Sequence, residues 1–504
     1  MILTQVCRQT TVVLRRSSHF WSWHNTAKEA TGSVLLTCKP MHTTIFSTRL
    51  FCLSATASSL VTLLVLSTAR KADTPLYISH RHHSDSESDS DSDSETKSKE
   101  PVIMQKPELS PKLKQTKEET VYGMLVADAV AMPVHWFYNP DDIKRHYGNW
   151  LTGYTAPNKK HPSSILNLSA VDGSGRGGGS STPLIGNIIL HDKVKFWKSS
   201  STHYHQGMST GDNTLNSVTA LEMMKSMNRV DPDLTKPDRE VRATVLEDYV
   251  KFMTTPGTHN DTYAESFHRS FFKDWVEENP RPTSADDLIE FAEKRSKAKL
   301  AASPDSQLAV IGSLVPAIPW ILRSAHRSEA ECAKCAVDFI RLTHPVASLV
   351  PFVDTYARLL HAVLNGNDLK TEVMRVLGNS DLGGPSKRQM VLQLQDEAHK
   401  YPKGSDQRLQ VYQSATSMLG SACYIQGAMS SMLFLALEFH DDIQSGVLAN
   451  ANCGGENCHR GAALGALLGA ATANKGEKTP AALRDNLNSM KGVAASVVQE
   501  MNQI

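Results

Sequence analysis

Two polar runs far apart in the chain carry the residue types that chemistry needs. The first is Ser209-Thr210-Gly211-Asp212-Asn213-Thr214, directly before an apolar-periodic stretch from Leu215 to Met227. The second is Asn452-Cys453-Gly454-Gly455-Glu456-Asn457-Cys458-His459, directly before a small-residue stretch that runs past Gly469. Each opens a helix, and a helix N-terminus presents unpaired N–H groups and a partial positive charge. Such an end suits a phosphate, for which Gly454, Gly455 and Thr214 are the candidates. The side chains of Asp212, Asn213, Glu456 and His459 suit a cation held by oxygen and nitrogen. His135, in the aromatic loop His135-Trp136-Phe137-Tyr138, adds an imidazole able to accept a proton near neutral pH. The bland alternative is that these residues only cap and satisfy their own helices.

The elements that must position them are helical. Gly461, Gly465 and Gly469 recur every four residues, so they form one smooth face on which a neighbouring backbone can lie closely. From Glu118 to Ala131 the residues Tyr122, Leu125, Val126 and Ala129 share a face, and Pro133 ends that helix. Helical periodicity continues over 239–253, 261–277, 285–301, 306–324, 327–343, 348–364 and 408–440, with Pro316 and Pro319 kinking the segment 306–324. No run of alternating strands interrupts it, so the fold class is all-α. Two stretches break the pattern and read as insertions: 150–205, with the glycine run Gly173 to Gly179, and 366–407. No strand–helix unit flanks the glycine run, which excludes a dinucleotide loop.

The chain of 504 residues carries a net charge of +1, which gives no global pull toward nucleic acid or an anionic membrane. Residues 1–71 contain one acidic residue, Glu29, against eight Lys or Arg, and are rich in Ser and Thr, as organelle-targeting leaders are. Within them Leu50 to Ala69 is uncharged over 20 residues and is followed by Arg70-Lys71. That run is long enough for a signal h-region or a single membrane anchor. The compartment thus stays open between an organelle and the secretory pathway. Residues 72–114, with SDSESDSDSDSETKSKE at 84–100, form an acidic spacer that cannot bury a core. The folded domain is expected over 115–504, as a monomer. The eight cysteines show no disulfide framework, and Cys332 and Cys335 sit in an Ala-rich helical run that reads as core.

Four segments in order resemble the ADP-ribosylglycohydrolase family. Tyr122 to Pro133 is similar to its opening helix G-x-x-x-G-D-A-x-G-x-P, with Ala127 and Ala131 in place of two glycines. Gly211-Asp212-Asn213-Thr214 stands where the family reads T-D-D-T. Leu342-Thr343-His344-Pro345 is similar to its T-H segment. Asn452 to His459 stands where it reads N-x-G-G-D-T-D-T. The resemblance covers roughly 118–475. It implies an all-α bundle with a site in a central cleft, where two Mg²⁺ ions (or Mn²⁺) position a ribose and an activated water attacks its anomeric carbon.

The departures bear on that chemistry. At the positions of T-D-D-T and D-T-D-T, the acids that remain are Asp212 and Glu456. Where some members carry a Glu after the first motif, this chain has His135. Two hard Mg²⁺ ions want more carboxylate than that. A single divalent ion, a softer ion bound through His459 and His135, and no metal are the alternatives. The resemblance implies a hydrolase of a glycosidic bond to ADP-ribose, in a modified protein or a small conjugate, with Glu456, Asp212 and His135 as catalytic candidates. The alternative is a non-catalytic member that binds ADP-ribose or keeps the fold, as a lens crystallin of the family does.

Overall fold

The computed structural model describes residues 106–174, 183–302, 304–488 and 490–503. The basic leader, the apolar run 50–69, the acidic stretch 84–100 and Gly175 to Gly179 lie outside the described residues. The described residues form 18 α-helices and no strand. None of these helices is long and apolar enough to cross a membrane. In chain order they begin with α1 (Pro111–Ala131), α2 (Asp141–Tyr147), α3 (Val194–Trp197), α4 (Leu215–Val230), α5 (Asp238–Thr254) and α6 (Ser266–Glu277). They continue with α7 (Ala285–Ala301), α8 (Leu314–Ser324), α9 (Glu329–Thr343), α10 (Val350–Leu364), α11 (Leu369–Val376) and α12 (Gly384–His399). The last are α13 (Asp406–Leu419), α14 (Ile425–Glu438), α15 (Ile443–Asn452), α16 (Asn457–Asn474), α17 (Ala481–Arg484) and α18 (Lys491–Asn502).

Two helices from opposite ends of the sequence form the axis of the bundle. Ser110 caps α1, its hydroxyl accepting from Leu113 N–H at 3.1 Å, and Pro111 follows where a missing N–H costs nothing. Every residue from Thr120 to Ala131 is buried, as is every residue of α16 from Asn457 to Ala473. Both are therefore enclosed on all sides, the mark of inner helices, and the few polar groups they carry, Asp128 and His459 among them, are buried with them. They pack on each other more extensively than any other pair. Gly123, Gly465 and Gly469 lie at the contact. A Cβ on Gly465 would strike the Gly123 carbonyl, and one on Gly469 the Glu119 carbonyl. Tyr356 of α10 donates to the Ala463 carbonyl at 2.9 Å and ties the next layer to this axis.

The structure differs from the periodic reading at five places, each with a local cause. The first helix starts at Pro111, inside the stretch 72–114 read as spacer, because Ser110 caps it and Leu109 and Leu113 are buried. The stretch 366–407 holds α11 and α12, whose buried Leu369, Val373, Val376, Val391 and Ala398 give them short core faces. The stretch 408–440 is two helices. Gly420, at φ +142, breaks it, and a side chain there would meet the backbone of Gly427. The stretch 306–324 becomes helix only from Leu314. The helix read from 261 begins at Ser266, which leaves Asp261 to Glu265 as a loop.

Lys117 of α1 is 1% exposed. Burial first, then Lys114 and Arg323, pulls its pKa down to about 7. Between about 7 and the ordinary 10.5 the unfolded chain holds this proton and the folded chain does not, so stability rises with pH across that window. Below it both states are protonated and the penalty for burying the ammonium is fully present. Lys117→Met is therefore expected to stabilise the domain by a few kcal/mol near pH 6.5, with the gain fading toward pH 10. Urea denaturation at the two pH values measures it; a gain independent of pH would refute a charge penalty.

Candidate functional site

The turn before α16 fixes the site. Gly454 and Gly455 sit at φ +64 and +65, a region that favours glycine. Gly455 N–H donates to Phe137 O at 2.9 Å, Trp136 N–H to Gly455 O at 2.8 Å, and Glu456 N–H to Ser421 O at 2.8 Å. Gly454 N–H is also committed, to Ala451 O at 3.1 Å. These amides, the phosphate candidates of the sequence, are spent on holding together the His135 loop, the break between α13 and α14, and the start of α16. The result is that His135 and Glu456 meet.

From that meeting a chain of buried polar groups runs outward. Glu456 Oε1 lies 2.8 Å from His135 Nε2 and 2.9 Å from His459 Nδ1. His135 Nδ1 lies 2.7 Å from His205 Nε2, and His205 Nδ1 lies 2.8 Å from Asp261 Oδ1. The other Asp261 oxygen accepts from Leu215 N–H at 2.8 Å, at the start of α4. On the far side, Glu265 Oε1 is 3.7 Å from His459 Nδ1, while its Oε2 accepts from Asn216 at 2.6 Å. Asn216 in turn faces His268 at 3.2 Å, and His268 faces the Tyr249 hydroxyl at 2.7 Å. The Glu265 carboxylate rests against Gly312, where any side chain would collide with it. Asp261, Glu265, His205 and Asn216 were missed in the sequence. Their signals were a His-x-His pair in a stretch read as an insertion, and acids in a stretch read as helix.

The first polar run is placed differently from the second. Asp212 accepts from Ser209 N–H, Asn260 and Asn488, each at 2.8 Å. Asn213 Nδ2 donates to Leu125 O at 2.7 Å and to Asp128 at 3.0 Å, and Thr214 donates to Asp128 through both N–H and hydroxyl at 2.7 Å. Asp128, on α1, is thus the anchor of the run, and Asp212 ties it to the segment before α18. Asp212→Asn is expected to cost on the order of 1–2 kcal/mol of stability and to leave ligand binding at Glu456 unchanged. Thermal denaturation paired with calorimetric titration of ADP-ribose checks both halves; lost binding at unchanged stability would make Asp212 part of the site.

Burial works against every charge here, and the partners decide which survive. Burial pushes the Asp128 and Glu265 carboxyls up, against their hydrogen bonds and the charge of His459. Burial alone would raise Glu456 too, but His135 and His459 outweigh it and hold that carboxyl well below the usual range. Burial drives His135 down to about 3, so the cation facing Glu456 is His459. Against burial, Glu456 and Glu265 lift His459 to about 10. Burial also pushes the Cys458 thiol well up.

An aromatic cover closes over this cluster. The Trp136 ring stacks on His135 at 3.8 Å and meets Tyr204 and Tyr263 edge-on at 4.5 and 5.0 Å. Glu456 and His135 are fully buried beneath it. Two sets of metal-ligand groups occur in the cluster, His135 with Glu456 and His459, and His135 with His205 and Cys458. Within each set the donor atoms lie within 4.8 Å of one another. Glu456 Oε2, Asn213 Oδ1 and Asn457 Oδ1 are buried acceptors with no hydrogen-bond partner among the described residues.

A family model described as ADP-ribosylglycohydrolase matches residues 111–503. Among solved structures, this chain is similar to an ADP-ribosylglycohydrolase-related protein complex, at 15% identity and a TM-score of 0.39, over 78% of this chain and 99% of that one. No curated protein matches.

Proposed function

The chain belongs to the ADP-ribosylglycohydrolase family, and from that premise we propose that it hydrolyses the glycosidic bond between the ribose of ADP-ribose and an acceptor. The observation that carries this reading is the buried meeting of Glu456, His459, Glu265 and His135, two of which belong to the segment that resembles the family's N-x-G-G-D-T-D-T. Glycoside hydrolysis needs carboxylates on a positive, oxocarbenium-like centre and a base for the attacking water. Glu265 suits the base. Asn216 holds one oxygen, the other faces the centre of the cluster, and Gly312 leaves it room. A carboxyl raised by burial has the proton affinity that a general base needs. Its position compensates for His135, which stands where some members carry a Glu. Glu456 holds His459 and His135 in place, and its carboxylate is the ionised acid of the cluster available to the positive charge that develops on the ribose. When bound, a divalent ion would supply a Lewis acid toward the ribose hydroxyls or the water, held by His135, Glu456 and His459.

The aromatic cover has to part for a conjugate of this size to reach Glu265. That closure favours a second reading, a member that binds ADP-ribose or keeps the fold without turnover. One assay separates the two: release of free ADP-ribose from arginine-linked and serine-linked ADP-ribosyl peptides. The hydrolase reading expects turnover of one linkage class, reduced about 100-fold or more in Glu265→Gln. ADP-ribose binding with no release from either substrate would decide for the second.

A further inference from the structure

Away from the His135–Glu456 cluster, the buried Lys117 borders a cavity of its own. Lys117 on α1, Asn228 on α4, Arg323 on α8 and Met501 on α18 line it, together with Asp231. Its volume is about 20 Å³, room for one small molecule. Met227, Leu234 and Leu322 add apolar walls. Arg323 brings donors that the fold does not use. Its Nη2 lies 2.6 Å from Asp231 and donates to the Lys236 carbonyl at 3.3 Å. Its Nε and Nη1 have no hydrogen-bond partner among the described residues, although the side chain is 2% exposed. Nε stands 3.7 Å from Asp238, which Arg327 already holds with two hydrogen bonds of 2.7 and 3.0 Å. Buried N–H groups without an acceptor are costly and uncommon. The charges that act on the Lys117 amine, Lys114 and Arg323, are both positive, so they disfavour an ammonium there and favour an anion.

We propose that Lys117 is a carbamylation site: its amine adds CO₂ in this cavity, and the carbamate accepts from the unused N–H groups of Arg323. The nitrogen lone pair forms the N–C bond, and one C–O π pair moves onto oxygen. One N–H proton then passes to solvent, and nothing is oxidised or reduced. The step needs an amine without its extra proton. Burial and the positive neighbours supply one near neutral pH, as they do for other nucleophilic lysines. The product replaces a buried amine by a planar anion beside a guanidinium, a pairing suited to two hydrogen bonds. Asp231 is the one acid on the cavity wall. Its charge is met by Arg323 and by the Thr235 and Lys236 N–H groups, which donate to its Oδ1 at 2.9 and 3.1 Å. The carbamate would thus tie α1 to α8, at a place the hydrolase reading does not use.

The test reads no turnover, so it stands apart from the hydrolase reading. The full chain is equilibrated near pH 8 with ¹³C-labelled bicarbonate and followed by ¹³C NMR. A carbamate resonance should appear and should be missing from Lys117→Met. Alkylation with a trialkyloxonium salt, then peptide mass spectrometry, should place the label on Lys117. Bicarbonate should also raise the melting temperature of the unmodified sequence and not that of Lys117→Met. Arg323→Gln is expected to lower the carbamate fraction about 10-fold by removing its partner. Should that variant fail to fold, Lys114→Glu, at a half-buried position on α1, is expected to lower it about 3-fold by reversing a charge that favours the anion. The absence of a resonance would overturn the site, as would one that persists in Lys117→Met and so belongs to another amine. A carbamate fraction unchanged in Arg323→Gln, or in Lys114→Glu where that variant is used, would overturn it too. A bicarbonate-dependent rise in melting temperature without a resonance would mean an anion held at Arg323 with no bond to Lys117, and the covalent step would fall.

Discussion

Glu456→Ala should destabilise the domain by about 3–5 kcal/mol and abolish turnover. The residue begins α16, but its side chain caps nothing there, so the loss is not that of an N-cap. It is instead the carboxylate against which two buried imidazoles are set, His135 Nε2 at 2.8 Å and His459 Nδ1 at 2.9 Å. Removing it strands His459, which Glu456 and Glu265 together keep charged against burial. A stranded buried charge costs several times what a lost cap does. Glu456→Gln keeps the shape and one acceptor, and is expected to lose less stability while still losing turnover. Denaturant titration of both variants reads the difference. A loss near 1 kcal/mol in Glu456→Ala would mean that the cluster is not coupled to the fold. Because the hydrogen bonds of Asp212 run to Ser209, Asn260 and Asn488, its loss and that of Glu456 should add rather than overlap.

The contrast between these two acids shows how far the sequence reaches. Both open helices, and position along the chain treats them alike. The Gly465 face and the low polarity of α1 were legible because small residues at a fixed spacing have few other uses. The meeting of His135 with Glu456 was legible only through family resemblance, since 321 positions separate them. What local pattern cannot give is the direction in which a side chain leaves a loop. Asp261 and Glu265 belong to a stretch whose composition reads as the first turn of α6, yet the helix starts at Ser266 and the loop turns both carboxylates inward. His203 and His205 lie between helices, in a stretch without periodicity, and are nonetheless buried. His203 packs against Phe137 and His161, and His205 against His135 and Tyr263, tertiary contacts that no window of residues encodes. The break at Gly420 is the same kind of miss: glycine inside an apolar run reads as tolerated, until the turn at Gly455 needs the Ser421 carbonyl that the break exposes.

Gly465→Val is expected to unfold the domain or cost more than about 4 kcal/mol, and the sign of this effect is decided by contact rather than propensity. In an exposed helix, replacing glycine by alanine gains roughly 1 kcal/mol, because glycine loses the most backbone freedom on folding. Valine keeps part of that gain. At Gly465 the new Cβ meets the Gly123 carbonyl oxygen and the Ala127 methyl group, and neither can move without shifting α1. Helix α1 is buried over its inner half and is held at its start by the Thr116 hydroxyl, which donates to Leu364 O at 3.0 Å. A shift there moves Asp128, which anchors Thr214, and slides the turn at Gly454 and Gly455 that sets Glu456. Overpacking would therefore appear twice, as lost stability and as loss of whatever the cluster binds. Gly465→Ala, the smallest step, tests the argument most sharply. Propensity expects a higher melting temperature and the contact expects a lower one, by several degrees, with the ligand-induced shift reduced in parallel. A rise in melting temperature in Gly465→Ala would show that α1 and α16 can separate freely, and the close approach of the two axis helices would then not be what fixes the site.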